Sequence, residues 1–243
     1  MPEQLWVTEI LNHLFAGPVT SLLRGIGIEP KYPFAPIPNS FAMELLVLAV
    51  LLILFLLVRS RLSVESPGGL QHAFEWIEGF VQGQSNEIIG HHSESYTPFL
   101  TVLGLFILLC NLIGLIPGFE SPTAVPIVPL GCALCAFVYY QFQGFRHAGV
   151  GYLKHFTGPM PALAPLMILI EIISHLARVL SLTIRLYANM FAGDMVTLVV
   201  FSLLPLIFPV AFLGLHIFVS LLQTYIFVLL TTVYLQGAVA DEH

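Results

Sequence analysis

Long apolar runs, separated by short polar or proline-rich breaks, set the pattern along this chain. The first run, FAMELLVLAVLLILFLLV from Phe41 to Val58, is closed by Arg59 and Arg61. Its length suits the ~20 apolar residues that a helix needs to cross a bilayer. Glu44 sits one turn from its start, where a carboxylate reaches the interface. After Pro67-Gly68-Gly69, the segment from Leu70 to Ile89 places Phe74, Ile77, Val81 and Ile88 near one face, with Glu75, Glu78 and Glu87 elsewhere. That pattern predicts an amphipathic helix flat on the membrane surface. Two further spans form a hairpin, about 97–116 and 124–145, joined by the turn-rich GFESPTA.

From Pro161 to Val239 there is almost no polar break. This stretch predicts two long helices, one ending near Met190 and one starting near Met195, with Pro205 and Pro209 kinking the second. Each exceeds one perpendicular crossing, so strong tilt is expected. Ahead of the first span, Leu5 to Phe15 predicts a short amphipathic helix. The tract PKYPFAPIP predicts an extended lead-in. The expected fold is an all-α integral membrane protein with about five transmembrane helices and one surface helix. It forms one membrane domain over 1–243, divided into an outside segment 1–40, a first span 41–58, a surface helix 70–89, a hairpin 97–145 and a helix pair 161–239.

Composition narrows the class. Hydrophobic residues make up 57% of the 243 positions and charged residues 9%, with a mean hydropathy of +0.91. Soluble domains carry about a quarter charged residues, so the solvent for most of this chain is lipid. The net charge of −6 comes from few groups, and no segment carries a basic cluster, which argues against nucleic acid as a partner. The N-terminus has no basic residue before Arg24 and does not read as a cleaved signal peptide. Five crossings with the N-terminus outside put Arg59, Arg61, Arg146 and Lys154 on the cytoplasmic side, as the positive-inside rule prefers.

Candidate chemistry lies in the few charges of the apolar C-terminal third. LIEIISHLARVLSLTIRLYANMFAGDM holds Glu171, Ser174, His175, Arg178, Arg185, Asn189 and Asp194. Glu171, Arg178 and Arg185 are seven residues apart and lie near one helix face, flanked by Ser174, His175, Leu182 and Asn189. Glu171 and Arg185 are separated by about 21 Å along the axis, and Asp194 lies beyond Arg185, after Gly193, where the helix is expected to loosen. A charged residue at a span centre costs ~2.5–3.5 kcal/mol, so it faces a polar cavity, a partner or an ion path. Glu171 and Arg178 also admit a structural reading, with Glu171 bridging His175 and Arg178 snorkelling to the interface. Arg185 has no acid within one turn, so its partner is expected on another helix or another protein.

The last span carries a narrower polar stripe of His216, Ser220, Gln223, Thr231 and Tyr234. A lone membrane histidine is commonly a satisfied packing group, yet it also titrates near neutral pH. Paired with Asp194 across two helices, His216 would form a proton relay. Cys132-x-x-Cys135 and Cys110 lie in apolar runs and read as packing, with no disulfide framework implied. His91-His92-Ser93-Glu94 lacks a third liganding site and reads as a solvated loop. Asn111 reads as an interhelical hydrogen bond. No phosphate-cradling loop is present, so no ATP hydrolysis and no cofactor or metal is expected of this chain.

Three segments, SLTIRLYANMFAGD at 181–194, HIFVSLLQTYIFVLLTTVYL at 216–235 and GLFILLCNLIGLIPGFESPTA at 104–124, resemble the a subunit of bacterial F-type ATP synthases, and the likeness extends over essentially the whole chain. The resemblance implies a non-catalytic, proton-conducting stator subunit of the membrane Fo sector in a bacterial inner membrane, with its C-terminus cytoplasmic. It implies c-ring subunits and peripheral-stalk b subunits as partners, and the F1 sector indirectly. Arg185 matches the ring-facing arginine. Asp194, His216 and Gln223 match the half-channel open to the outside, and Glu171 and Ser174 the cytoplasmic one. Ala188 departs from a common glycine, Val125 from a common asparagine, and Gly114 from an aspartate of some members. A sodium-coupled version of the same subunit is an alternative. So is a stand-alone proton-coupled secondary transporter, although the internal symmetry common in such folds is not evident.

Overall fold

The computed structural model describes residues 4–27, 29, 32, 34–63, 68–90, 93–116, 118–149, 164–203 and 208–239. Among these residues every regular element is helical. The α-helices are α1 (Trp6–Gly25), α2 (Asn39–Ser60), α3 (Gly69–Ile89), α4 (Thr97–Ile113), α5 (Ile127–Ala148), α6 (Ala164–Leu203) and α7 (Phe208–Val239). Short 3-10 turns at Ser93–Ser95 and Pro122–Ala124 lead into α4 and α5. Four helices, α2, α5, α6 and α7, are long and apolar enough to cross a membrane, while the apolar α4 is shorter at 17 residues. The chain is therefore an all-α, multi-pass membrane protein.

Helices α4, α5, α6 and α7 form the central bundle. Its core takes Leu103 and Ile107 from α4, Cys132, Ala133 and Ala136 from α5, and Phe227 from α7. Helix α6 contributes Val179, Leu182, Leu186 and Met190, whose spacing of three and four residues makes one continuous inward stripe. The outward face of α6 remains apolar, with Leu169, Ile173, Leu176, Leu180 and Ile184 all exposed. Helix α2 packs on α4 through Val47 and Leu51 and presents Leu48, Leu52, Ile53 and Leu56 outward. Hydrocarbon satisfies such faces, which in water would aggregate.

Helix α3 packs on α4 and α7. Gln71, Val81 and Ser85 are buried, while Glu75, Glu78 and Glu87 are exposed, as the amphipathic pattern requires. Tyr225 of α7 meets it twice, stacking obliquely on Phe80 and donating to Gln84 Oε1 at 3.3 Å. Helix α1 is twice as long as the pattern from Leu5 to Phe15 suggests and carries Pro18 inside it. It rests on α2. Asn12 ties down the return segment, donating to the Ile37 carbonyl at 3.2 Å and accepting from the Ile37 N–H at 3.0 Å.

The largest correction concerns the C-terminal third. No break falls between Met190 and Met195. Helix α6 runs through Gly193 for 40 residues, about 60 Å at the rise of an α-helix. In apolar surroundings an interrupted backbone leaves polar groups unsatisfied, a cost that outweighs the modest helix penalty of one glycine. Pro209 stands next to Phe208, the first described residue of α7, and no proline lies further along that helix. Pro205 lies outside the described residues, as do His91, His92 and the acidic tail at 241–242.

The turn between α4 and α5 folds back tightly on α4. A Cβ built at Gly114 would stand 2.8 Å from Ser121 Cβ and 2.9 Å from Ser121 N. An aspartate there would meet backbone, which explains the glycine. Gly114→Ala is therefore expected to destabilise the chain by about 1–3 kcal/mol, read as thermal denaturation in detergent. Gly131→Ala, with open space around its Cβ, should be neutral or stabilising in the same measurement.

Candidate functional site

Helix α6 places its polar residues beside the inward stripe, where they meet α5 and α7. Arg185 is half-buried and follows Leu182 and Thr183, which are buried. Its Nη2 donates to Ser181 Oγ, one turn earlier, at 3.2 Å. Among the described residues no carboxylate pairs with it. A guanidinium has five donors, so this one keeps most of its capacity for a partner outside the chain.

One turn beyond Arg185, Asn189 Nδ2 donates to Gln223 Oε1 of α7 at 2.7 Å. Gln223 is almost fully buried, and its Nε2 has no hydrogen-bond partner among the described residues. Further along α6, Asp194 faces His216, with Oδ1 3.7 Å from Nε2. That separation lies within ion-pair reach and beyond a hydrogen bond, and it leaves His216 Nε2 buried and unbonded. Gly193 makes the approach possible. A Cβ there would come within 3.2 Å of His216 Nδ1 and 3.3 Å of Cε1.

On the other side of Arg185, Glu171 Oε1 lies 3.3 Å from Nε2 of the buried His175. His175 Nδ1 in turn lies 3.1 Å from the hydroxyl of Tyr140 on α5. Ser174 is half-buried and makes no hydrogen bond among the described residues. Arg178 packs its guanidinium over the Tyr234 ring, 5.1 Å from the centroid. That contact ties α6 to α7, since a flat cation gains from an aromatic face.

The structure thus brings three pairs of the predicted residues together, Glu171–His175 within α6 and Asn189–Gln223 and Asp194–His216 between α6 and α7, while Arg185 bonds Ser181 instead. Several partners were not evident from sequence. Asn111 of α4 donates to Thr224 Oγ1 at 3.3 Å and accepts from Thr123 Oγ1 at 2.7 Å. Ser121 bonds Thr123 at 2.9 Å and donates to the Cys110 carbonyl at 3.0 Å. Ser220 donates to Met190 Sδ at 3.8 Å, linking α7 back to α6. Glu120, in the turn, lies within electrostatic reach of Asp194 and accepts from Asn39 Nδ2 at 3.4 Å. The run of Glu120, Ser121 and Thr123 beside Asn111 was the available signal, because small polar residues beside an intramembrane asparagine supply its partners.

A multi-pass helical protein with ionisable groups spaced along its longest helix, facing a polar stripe on the next, is the class expected to handle ions within a membrane. Comparison with known proteins gives the family. The ATP synthase A chain model matches residues 41–236. An ATP synthase subunit a from Koribacter versatilis is 57% identical over the full length of both chains. A second from Solibacter usitatus is 52% identical over 96% of this chain and all of its own length. A third from a Sulfurihydrogenibium species is 41% identical over 83% of this chain and 97% of its own. The chain belongs to the ATP synthase A chain family, the a subunits of F-type ATP synthases.

Asn111 holds the α4–α7 contact and the turn together. Asn111→Ala removes the acceptor of Thr123 and the donor to Thr224, and is expected to lower stability by about 1–3 kcal/mol. Thermal denaturation of the purified chain reads this.

Proposed function

We propose that the chain is the ion-translocating stator subunit of an F-type ATP synthase, carrying two proton half-channels beside a c-ring. The observation that carries this reading is Arg185. It sits within a continuous 40-residue helix, with polar pairs on both sides along the axis and no carboxylate paired with it among the described residues. A mobile carboxyl on a neighbouring subunit supplies the missing charge. Facing Arg185, such a group is held ionised, because the fixed cation favours the carboxylate. Having left Arg185, it loses that stabilisation and takes up a proton in lipid, where a bare charge is costly.

The two polar groups supply access from opposite sides. Asp194, His216 and the Asn189–Gln223 pair form the path from the outside, with Glu120 near its outer end. Glu171, Ser174 and His175 form the path to the cytoplasm. Arg185 lies between them and blocks direct passage, since a proton cannot cross a fixed cation without a carrier. Ions then cross only as the ring turns. Each charge moved through 100 mV supplies ~2.3 kcal/mol, so several must pass for each ATP formed. The chain itself performs no nucleotide chemistry, and peripheral-stalk b subunits hold it against rotation. The membrane is the bacterial inner membrane, with the N-terminus outside.

ATP-driven acidification of inverted vesicles in sodium-free buffer tests this. Native vesicles acidify, and Arg185→Ala abolishes acidification while the complex still assembles. Normal pumping by Arg185→Ala would make the arginine structural. Pumping by native vesicles only after sodium is added would replace the proton with sodium. In the same assay Asp194→Asn and Gln223→Leu are expected to slow acidification, by about tenfold if each removes one group from the path.

A further inference from the structure

Behind Glu171, α6 and α5 meet in a buried polar contact that access to the cytoplasm does not by itself require. His175 follows Glu171 by one turn and is buried, whereas the Glu171 side chain is 35% exposed. The imidazole is held from both nitrogens, Nε2 at 3.3 Å from Glu171 Oε1 and Nδ1 at 3.1 Å from Tyr140 Oη. Tyr140 is 2% exposed and belongs to the cluster that joins α5 to the C-terminal end of α7. Phe137 packs against both, its ring edge-on to His175 at 5.8 Å and to Tyr140 at 5.3 Å. The cation nearby on α6, Arg178, is turned onto Tyr234.

Hydrogen-bond chemistry gives this chain of contacts a direction. An ionised carboxylate only accepts, and a neutral imidazole offers one donor and one acceptor. With Glu171 ionised, the imidazole proton belongs on Nε2, so Nδ1 accepts and Tyr140 must donate. We propose that Tyr140 is a positioning residue for ion transfer, fixing the tautomer and ring orientation of His175 and, through it, the direction in which the Glu171 carboxylate faces. The proposal rests on the reading of Glu171 as part of the cytoplasmic access path. A carboxylate one-third exposed on a helix otherwise samples several rotamers, and only some face an arriving ring carboxyl. Histidines that work through a neighbour depend in the same way on the group bonded to their second nitrogen.

Two readouts on the assembled complex test this. The first is nitrogen NMR of the chain labelled with 15N-histidine, with the His175 signals assigned by their loss in His175→Gln. The native complex should show a neutral His175 protonated on Nε2, with Nδ1 shifted by an accepted hydrogen bond. The second is passive proton flux through the membrane sector in vesicles. Tyr140→Phe should remove the Nδ1 shift and reduce flux by about threefold to tenfold, the worth of one hydrogen bond, while assembly is unchanged. An Nδ1-protonated ring in the native complex overturns the proposal, and so does unchanged flux in Tyr140→Phe. The native tautomer decides its direction even if Tyr140→Phe fails to assemble. Normal pumping by Arg185→Ala would remove the ion-path reading and leave the tautomer measurement intact, so the two failures are distinguishable.

Discussion

A guanidinium carried on a helix that otherwise faces hydrocarbon has to find a counter-charge or a polar environment, and the architecture around Arg185 follows from that requirement. Among the described residues Arg185 donates one side-chain hydrogen bond, to the neutral hydroxyl of Ser181. The inward stripe of Val179, Leu182, Leu186 and Met190 anchors α6 against α4, α5 and α7 without using the face that bears Arg185. Packing is thus complete on one side of the helix, and the charge is left available beside it. A structural arginine would more naturally be consumed by a carboxylate on a packed neighbour.

The neighbouring polar groups divide according to how firmly they are held. Asn189 and Gln223 share a short hydrogen bond, whereas Asp194 and His216 approach without closing one, and among the described residues buried nitrogens on His216 and Gln223 find no partner. Unsatisfied buried donors are costly, and native proteins rarely keep them without a purpose. Under the proposed function, water in the path would supply the missing partner. By contrast, the Asn111–Thr123–Ser121 network is fully bonded and serves to hold the α4–α5 turn against α7.

Much of this was legible from residue order. Apolar runs marked the spans because lipid demands long uninterrupted hydrophobic segments, and the heptad spacing of Glu171, Arg178 and Arg185 marked a shared face. The i+4 pair of Glu171 and His175 has the geometry that its spacing suggested, and Asp194 and His216 approach within ion-pair reach across two helices. What pattern could not supply was partnership between distant segments. Tyr140 lies 35 residues from His175, and nothing in the order of residues ties the two together. Gly193 looked like a helix ending beside an acid, yet it serves the approach of the His216 ring within an unbroken helix. Gly114 looked like a missing carboxylate, and its reason is the backbone of Ser121 pressed against it.

The central claim is that the counter-charge of Arg185 comes from another subunit. Its most direct test is a cryo-electron microscopy structure of the intact complex in lipid, resolved well enough to place the guanidinium. The account predicts a membrane-embedded carboxylate of a neighbouring subunit facing Arg185, within about 4 Å directly or through one bridging water. A guanidinium turned back onto a carboxylate of its own chain, or facing only acyl chains, would contradict it.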